Sequence, residues 1–86
     1  MAYRIEVRPK VEKALRKLPT RIVQAVRGVI DGLANDPRPQ GAKRLTERDE
    51  WRIRVGDYRI LYLIEDALLV VIVVKIGHRK DVYRKR

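Results

Sequence analysis

The chain has no cysteine and only one histidine, and these shortages exclude several kinds of site. Without cysteine, neither a disulfide nor a thiolate metal site can form, and one histidine is too few for the usual all-protein zinc site. The longest purely apolar run, residues 67–74, is too short to span a bilayer. Charged residues also occupy the N-terminus where a signal peptide has its apolar region. We therefore expect a cytoplasmic protein with no metal, no cofactor and no membrane contact.

Familiar catalytic motifs are missing as well. There is no P-loop, no glycine-rich dinucleotide loop, no zinc-protease helix and no nucleophile elbow. Glu47, Asp49 and Glu50 crowd a predicted turn, where solvated charge is the usual explanation. Any chemistry must therefore come from other residue types.

Positive charge is what the chain has in excess. It carries 21 lysines and arginines against 11 aspartates and glutamates, which gives a formal net charge of +10 over 86 residues. A field of this sign on a small protein favours polyanionic partners: nucleic acid, an anionic membrane surface or an acidic protein. With 45% apolar residues, the chain is expected to form a single small domain over residues 1–86.

The spacing of apolar residues predicts a strand, two helices and then a series of strands. Residues 3–7 alternate as a half-buried strand does, one helix begins at Pro9 and is stopped by Pro19, and Thr20 caps a second helix that ends at residues 35–37. The fold class is thus α+β, in the order β-α-α-β-β-β(-β), with a two-helix hairpin packed on one face of a mainly antiparallel sheet. The later strands are predicted at residues 42–45, 51–55, 58–65 and 68–76, the last of them central because it is almost wholly apolar.

The segment from Trp51 to Tyr62 predicts a hairpin that carries arginines on one face. Apolar and basic residues alternate up to Gly56-Asp57, which can form a two-residue turn. In that register Arg54 faces Arg59, Arg52 lies on the same side, and the aromatic residues fall on the core side as packing residues. Opposed like charges cost stability, so we expect the cluster to bind an anion, and guanidinium groups match phosphate oxygens. Taken singly, each arginine could still be an ordinary solvent-facing residue.

Three residues near the C-terminus are further candidates. Arg79 adds a guanidinium group close to the arginine face. Tyr83 could stack on a nucleobase or bind a phosphate, although its ring could equally pack on the sheet edge. Histidine is the residue type best suited to exchange a proton near neutral pH, so His78 could carry a proton beside Arg79, although a lone histidine is more often structural.

These residues, in this order, resemble the RelE toxins of the RelE/ParE superfamily. The resemblance covers nearly the whole chain and depends on K-R-L, W-R-I-R-V-G-D-Y-R-I-L-Y and V-V-I-V-V-K-I-G-H-R-K-D-V-Y. It implies a fold like that of small microbial ribonucleases, without their glutamate–histidine pair. It also implies a toxin of a type II toxin–antitoxin system, a ribosome-dependent endoribonuclease (mRNA interferase) that cleaves mRNA in the A site and inhibits translation.

The resemblance further implies a reaction, in which an RNA 2′-hydroxyl attacks the adjacent phosphate. Arg59 would stabilise the phosphate, Arg54 would help to activate the hydroxyl, Arg79 would assist the leaving group, and Tyr83 would orient the nucleotide. The best-known members carry lysine at the two positions before the turn, and arginine does not lose its proton, so His78 or a phosphate oxygen is the alternative proton acceptor. The expected catalytic residues are Arg52, Arg54, Arg59, Arg79, Tyr83 and His78, and Arg52, Arg54 and Arg84 are expected to bind substrate.

The partners that the resemblance implies are a cognate RelB-like antitoxin, mRNA and the ribosome. Operator DNA would be reached only indirectly, through the antitoxin complex. Two alternatives stay open: a ParE-like poison of DNA gyrase, and a non-catalytic module that binds RNA or protein through its arginines. Val82-Tyr83 argues against the ParE-like alternative, because such toxins typically lack the terminal tyrosine.

Overall fold

The computed structural model describes residues 2–45 and 50–78. Two helices separate the first strand from the others, α1 (Pro9–Leu15) and α2 (Thr20–Gly32). A short 3-10 turn, Asp66–Leu68, joins the last two strands. The strands are β1 (Arg4–Val7), β2 (Lys43–Arg44), β3 (Glu50–Val55), β4 (Tyr58–Glu65) and β5 (Val70–His78).

The five strands form one sheet in the order β1-β5-β4-β3-β2. β1 pairs with β5 in parallel, and every other neighbouring pair is antiparallel. The predicted α+β class with a mainly antiparallel sheet is therefore confirmed. β5 lies between β1 and β4, so the middle position belongs to β4 and not, as the apolar run suggested, to β5.

Both helices contribute to the core on one face of the sheet. Val11 and Leu15 of α1 are almost fully buried, as are Val26 and Ile30 of α2. Each such side chain stabilises the fold by about 1.5–3 kcal/mol relative to an exposed one. Their buried partners on the sheet are Ile53, Ile60, Tyr62, Ile64, Val71 and Val73.

Element boundaries differ from the prediction where proline or pairing decides them. Helix α1 ends at Leu15, before Leu18, and tightens there into i→i−3 bonds, in which the amides of Lys17 and Leu18 donate to the carbonyls of Ala14 and Leu15. The N-cap of α2 is Pro19 itself, and Thr20, predicted to be the cap, is the first helical residue. Of the predicted charged turn, residue 50 begins β3 and residues 47–49 lie outside the described residues.

Candidate functional site

The hairpin of β3 and β4 has the predicted register. Arg54 pairs with Arg59 and Val55 with Tyr58, so the turn consists of two residues. Gly56 has φ +59° while Asp57 keeps a negative φ, the pattern of a type II′ turn, which requires glycine at its first position. Opposed Cα atoms in such a ladder are about 4.5–5.5 Å apart, so the two arginines are direct neighbours.

Alternation along the strands brings basic residues together on the open face, the face of the sheet opposite the helices. Arg52, Arg54 and Arg59 lie there, because Ile53, Ile60 and Tyr62 occupy the covered face. Two lysines that were not predicted as site residues join them through cross-strand pairing, Lys43 opposite Arg52 and Lys75 opposite Leu61. We call the five residues the basic face: Lys43, Arg52, Arg54, Arg59 and Lys75.

A cavity of about 340 Å³ opens beside this face, between β3 and the segment that precedes β2. Arg52 is buried in its wall at 8% exposure, whereas Arg54 is exposed at its rim. Gly41, with φ +98°, makes the turn that brings the segment alongside. We call this cavity the basic pocket; it is lined by Gln40, Gly41, Lys43, Arg52, Ile53 and Arg54.

The open face is not basic along its whole length. Glu50 alternates with Arg52 and so lies on the same face, one strand repeat of about 7 Å away. Leu63 and Ile72 are paired in the middle of that face, and Glu65 follows on β4. Positive charge on the open face is therefore concentrated at the turn end of the sheet.

His78 lies away from the basic face. It pairs with Tyr58, and the two rings meet edge to face with centroids 5.7 Å apart and planes at 78°. Tyr58 belongs to the covered face, and His78 there lines a second cavity of about 310 Å³ with Ala14 and Leu18 of the α1 region. The structure thus does not bring His78 together with Arg54 and Arg59.

A β-bulge explains that position. Leu61 pairs with Lys75 but Tyr62 pairs with Val73, so Val74 is an extra residue on β5. One extra residue reverses the alternation of everything after it, which turns Lys75 to the open face and His78 to the covered one. β5 also continues two residues past its predicted end at Ile76.

The remaining predicted site residues, Arg79, Tyr83 and Arg84, lie outside the described residues. Their roles stay predictions. Within residues 2–45 and 50–78, no group of three or more histidine or acidic side chains could hold a metal ion. No helix in the same ranges is long and apolar enough to cross a membrane.

The segment that leads into the basic pocket is tied to the sheet by aromatic and charged side chains. Tyr62 is fully buried and its hydroxyl donates a hydrogen bond of 2.8 Å to the carbonyl of Pro37. Burial raises the pKa of Tyr62 to about 12. This side chain and Trp51 pack in or against the core, as predicted.

The side chain of Arg38, the residue after Pro37, is held by Asp66 and by the ring of Trp51. Its Nη1 and Nη2 donate to Oδ1 and Oδ2 of Asp66 at 3.3 and 2.7 Å, and its guanidinium carbon lies 5.4 Å from the centroid of the Trp51 ring. The hydroxyl of Tyr3 donates to Oδ1 of Asp66 at 2.6 Å. Hydrogen bonds from Arg38 and then Tyr3 lower the pKa of Asp66, and the bond to that carboxylate raises the pKa of Tyr3.

Comparison with known proteins gives consistent matches over nearly the whole chain. The family model described as "ParE toxin of type II toxin-antitoxin system, parDE" matches residues 5–83. The chain is 33% identical to Toxin RelG of Mycobacterium tuberculosis, over 99% of this chain and 100% of that protein.

Solved structures give the same result. The fold matches a chain of the archaeal RelE-RelB complex from Pyrococcus horikoshii OT3 with a TM-score of 0.85 and 30% identity, over 94% of this chain and 99% of that one. It also matches a chain of the toxin-antitoxin complex RelBE2 from Mycobacterium tuberculosis with a TM-score of 0.80 and 31% identity, over 94% and 95% of the two chains.

Proposed function

This chain belongs to the RelE family of toxins in the RelE/ParE superfamily of type II toxin–antitoxin systems, and we propose that it is an endoribonuclease that cleaves mRNA in the ribosomal A site. The observation that carries the proposal is the opposed pair Arg54 and Arg59 on a face that the helices leave open. Two guanidinium groups at that spacing can hold one phosphate from two directions. In the wider basic face, Lys43, Arg52 and Lys75 supply charge for the phosphates on either side.

The reaction would be an internal transfer at the scissile phosphate. The 2′-oxygen forms a bond to phosphorus while the bond to the 5′-oxygen breaks, which leaves a 2′,3′-cyclic phosphate and a 5′-hydroxyl. Arg59, half-buried in the middle of the basic face, would stabilise the charge that develops on the phosphate oxygens. Arg79 and Tyr83 would assist the leaving oxygen and orient the nucleotide.

Proton removal is assigned to the substrate and not to an arginine. Arginine side chains are poor proton acceptors, so the part of Arg54 is electrostatic. His78 lies on the covered face of the sheet, with Tyr58 beside it. We therefore propose that a phosphate oxygen accepts the proton of the 2′-hydroxyl, and that the proton passes to the 5′-oxygen as it leaves.

The matched complexes and the net charge of the chain support a proposal for its partners. The two matched structures are complexes of a toxin with its antitoxin. A net charge of +10 on this chain would attract an acidic segment of a partner protein. We propose a RelB-like antitoxin as the cognate partner, with operator DNA bound only through that complex, and mRNA on the cytoplasmic ribosome as the target. A neighbouring reading frame that encodes an acidic antitoxin is the genetic observation we expect.

A translation extract without antitoxin tests the activity. Primer extension should show cuts within translated codons, and Arg59→Ala and Tyr83→Phe should both weaken them. Arg4→Ala is the matched control, since Arg4 is an exposed arginine of β1 that pairs with Glu6 away from the basic face. It removes the same charge from another part of the sheet and should leave the cuts unchanged.

A second candidate follows from the matching family description, which names ParE toxins. The same extract should therefore be accompanied by a gyrase supercoiling assay. Intact mRNA together with inhibited supercoiling would replace the ribonuclease proposal with a gyrase poison. Binding of RNA with neither effect would reduce the protein to a non-catalytic binding module.

A further inference from the structure

One wall of the basic pocket is formed by the loop between α2 and β2 and by the very short strand β2. Gln40 and Gly41 line it from the connection between α2 and β2, and β2 itself has only two residues. An edge strand this short has few hydrogen bonds with which to hold its own position. Something else must fix the wall if the pocket is to keep one shape.

The contacts just before that wall supply the restraint. Arg38 lies two residues ahead of Gln40 and is gripped by both carboxylate oxygens of Asp66. Tyr3 donates to the same carboxylate, and the guanidinium group lies over the ring of Trp51. Through Arg38 and Asp66 together, the restraint therefore joins the start of β1, the end of β4 and the start of β3.

Two hydrogen bonds carry the restraint into the pocket. The backbone amide of Arg38 donates to Oδ1 of Asp36 at 3.1 Å, and that of Ala42 donates to the carbonyl of Pro39 at 3.0 Å. The second bond closes the turn that contains Gln40 and Gly41. The hydroxyl of Tyr62 also fixes the Pro37 carbonyl. These hydrogen bonds together determine the direction in which the chain enters the pocket.

Stability alone gives little reason for this arrangement. The side chains of Arg38 and Asp66 are 35% and 49% exposed, and ion pairs that exposed contribute little to folding. Their geometric effect is larger, because a two-oxygen carboxylate contact fixes the plane of a guanidinium group as well as its position. Displacement of a binding group by about 1 Å can cost about 100-fold in rate.

We propose that Arg38 is a positioning residue of the basic pocket, clamped by Asp66, Tyr3 and Trp51 so that Gln40, Gly41 and Lys43 meet an RNA strand in one fixed arrangement. The inference rests on the proposed function only in taking RNA as the ligand. Arg38 does not line the pocket, and its effect passes through residues 39–43.

The test uses the full chain and a labelled RNA trinucleotide whose 2′-hydroxyls are methylated, so that it binds without being cleaved. Asp66→Ala removes the clamp, and Glu12→Ala is the matched control because it breaks the exposed ion pair with Arg27 on the helices. Three readouts are compared: hydrogen exchange at the amides of Ala42 and Leu45, the fluorescence of Trp51, and the Kd of the trinucleotide. Trp51 is the only tryptophan, so the fluorescence reports its contact with Arg38 directly.

Asp66→Ala should speed exchange at both amides, shift the Trp51 emission and weaken trinucleotide binding about tenfold, within the range expected for a displaced binding group. Asp66→Glu should restore most of the affinity, and Glu12→Ala should change none of the three readouts. A merely structural role would leave the trinucleotide affinity of Asp66→Ala at the parent value, as in Glu12→Ala, and that result would overturn the proposal. Faster exchange without weaker binding would overturn it too.

Tyr3→Phe provides a milder variant if Asp66→Ala does not fold, since it removes one hydroxyl and no charge. It should move the three readouts in the same direction by a smaller amount, and no movement would count against the clamp. Failure of the proposed function gives a different pattern. If the parent chain binds the trinucleotide but cuts no mRNA, the ribonuclease is wrong, and the Asp66 variants alone decide whether the clamp is right. If the parent chain does not bind the trinucleotide, RNA is not the ligand, and the clamp proposal falls with that assignment.

Discussion

On the covered face of the hairpin, Ile60 and Tyr62 have no exposed surface, whereas on the open face Arg54 is exposed and Arg59 is half-buried. The two sets alternate along the same strands, so neighbours about 3.4 Å apart along the chain meet opposite surroundings. The covered residues pack in the core with side chains of α1 and α2, whereas Arg54 lines the basic pocket and is paired across the ladder with Arg59. Folding and the proposed binding of RNA therefore depend on different residues of one hairpin.

The comparison also explains why opposed arginines are tolerated. Like charges directly across a ladder are destabilising by up to about 1 kcal/mol per pair. The burial of Ile60 beside Arg59 outweighs that cost, since a fully buried isoleucine contributes about 1.5–3 kcal/mol. The covered face thus stabilises an arrangement of charges that the open face alone would not favour.

The largest effect is expected on the covered face, from Ile60→Ala. Removing a fully buried isoleucine leaves a cavity and should lower the free energy of unfolding by about 2–5 kcal/mol. Urea denaturation measures this, while mRNA cleavage per folded molecule should be unchanged. A large loss of cleavage in the folded fraction would show that the two faces are not independent.

The matching change on the open face is Arg59→Ala. Loss of one donor to a developing oxyanion should lower the cleavage rate about 100-fold, close to 2.7 kcal/mol. The urea midpoint should stay the same or rise slightly, because the opposed charge of Arg54 is relieved. Cleavage at the parent rate would remove Arg59 from the site, and a drop in stability as large as that of Ile60→Ala would make it a structural residue.

Tyr62→Phe should have an intermediate effect, confined to stability and to the entrance of the pocket. The substitution keeps the ring but leaves the buried carbonyl of Pro37 without its hydroxyl donor, at a cost of about 1–2 kcal/mol. Urea denaturation gives the cost, and hydrogen exchange near Ala42 shows whether the loop has loosened. No change in either measurement would mean that another group replaces the hydroxyl.

Much of this arrangement could be predicted from local sequence pattern. Strict alternation ahead of Gly56-Asp57 determines both the turn and the pairing of Arg54 with Arg59. The α+β class follows from helical spacing that gives way to a period of two. These features depend on residues close together in the chain, where pattern is informative.

What could not be predicted depends on register and on distant contacts. Lys43 and Lys75 join the basic face only through pairing across β2–β3 and β4–β5, and the bulge at Val74 has no local signal of glycine or proline. The same bulge reversed the expected side of His78. The clamp on Arg38 depends on contacts between residues far apart in the sequence. Asp66 contacts Arg38 across a separation of 28 positions and Tyr3 across one of 63.

Acid should weaken two ion pairs, Asp66 with Arg38 and Glu12 with Arg27, and Trp51 contacts only the first of them. The pKa values of Asp66 and Glu12 are both lowered, chiefly by hydrogen bonds from Arg38 and Arg27 respectively. A carboxyl whose folded pKa is depressed stabilises the fold above its unfolded pKa, near 4, and that contribution is lost as pH falls through the folded pKa. Stability should therefore decline below about pH 4, and less so in Asp66→Asn or Glu12→Gln.

Trp51 distinguishes the two sites. Its fluorescence should change as the carboxyl of Asp66 titrates, because protonation weakens the hold on Arg38, and this change should be absent in Asp66→Asn. Glu12→Gln should leave the fluorescence titration intact, since its ion pair lies on the helices. Loss of the titration in Glu12→Gln would contradict this assignment.

The smallest effect on catalysis is expected from His78→Ala. The imidazole lies on the covered face, where it contacts Tyr58 and lines the cavity beside α1, and the sheet separates it from Arg54 and Arg59. The cleavage rate and its pH profile should match those of the parent protein, although removal of the ring contact should lower stability slightly. Loss of one limb of the pH profile would mean that the histidine does exchange a proton with the substrate, which requires the end of β5 to rearrange when RNA binds. An unchanged profile would instead leave a phosphate oxygen as the proton acceptor. Neither the charge stabilisation nor the proton transfer of the reaction would then depend on the covered face.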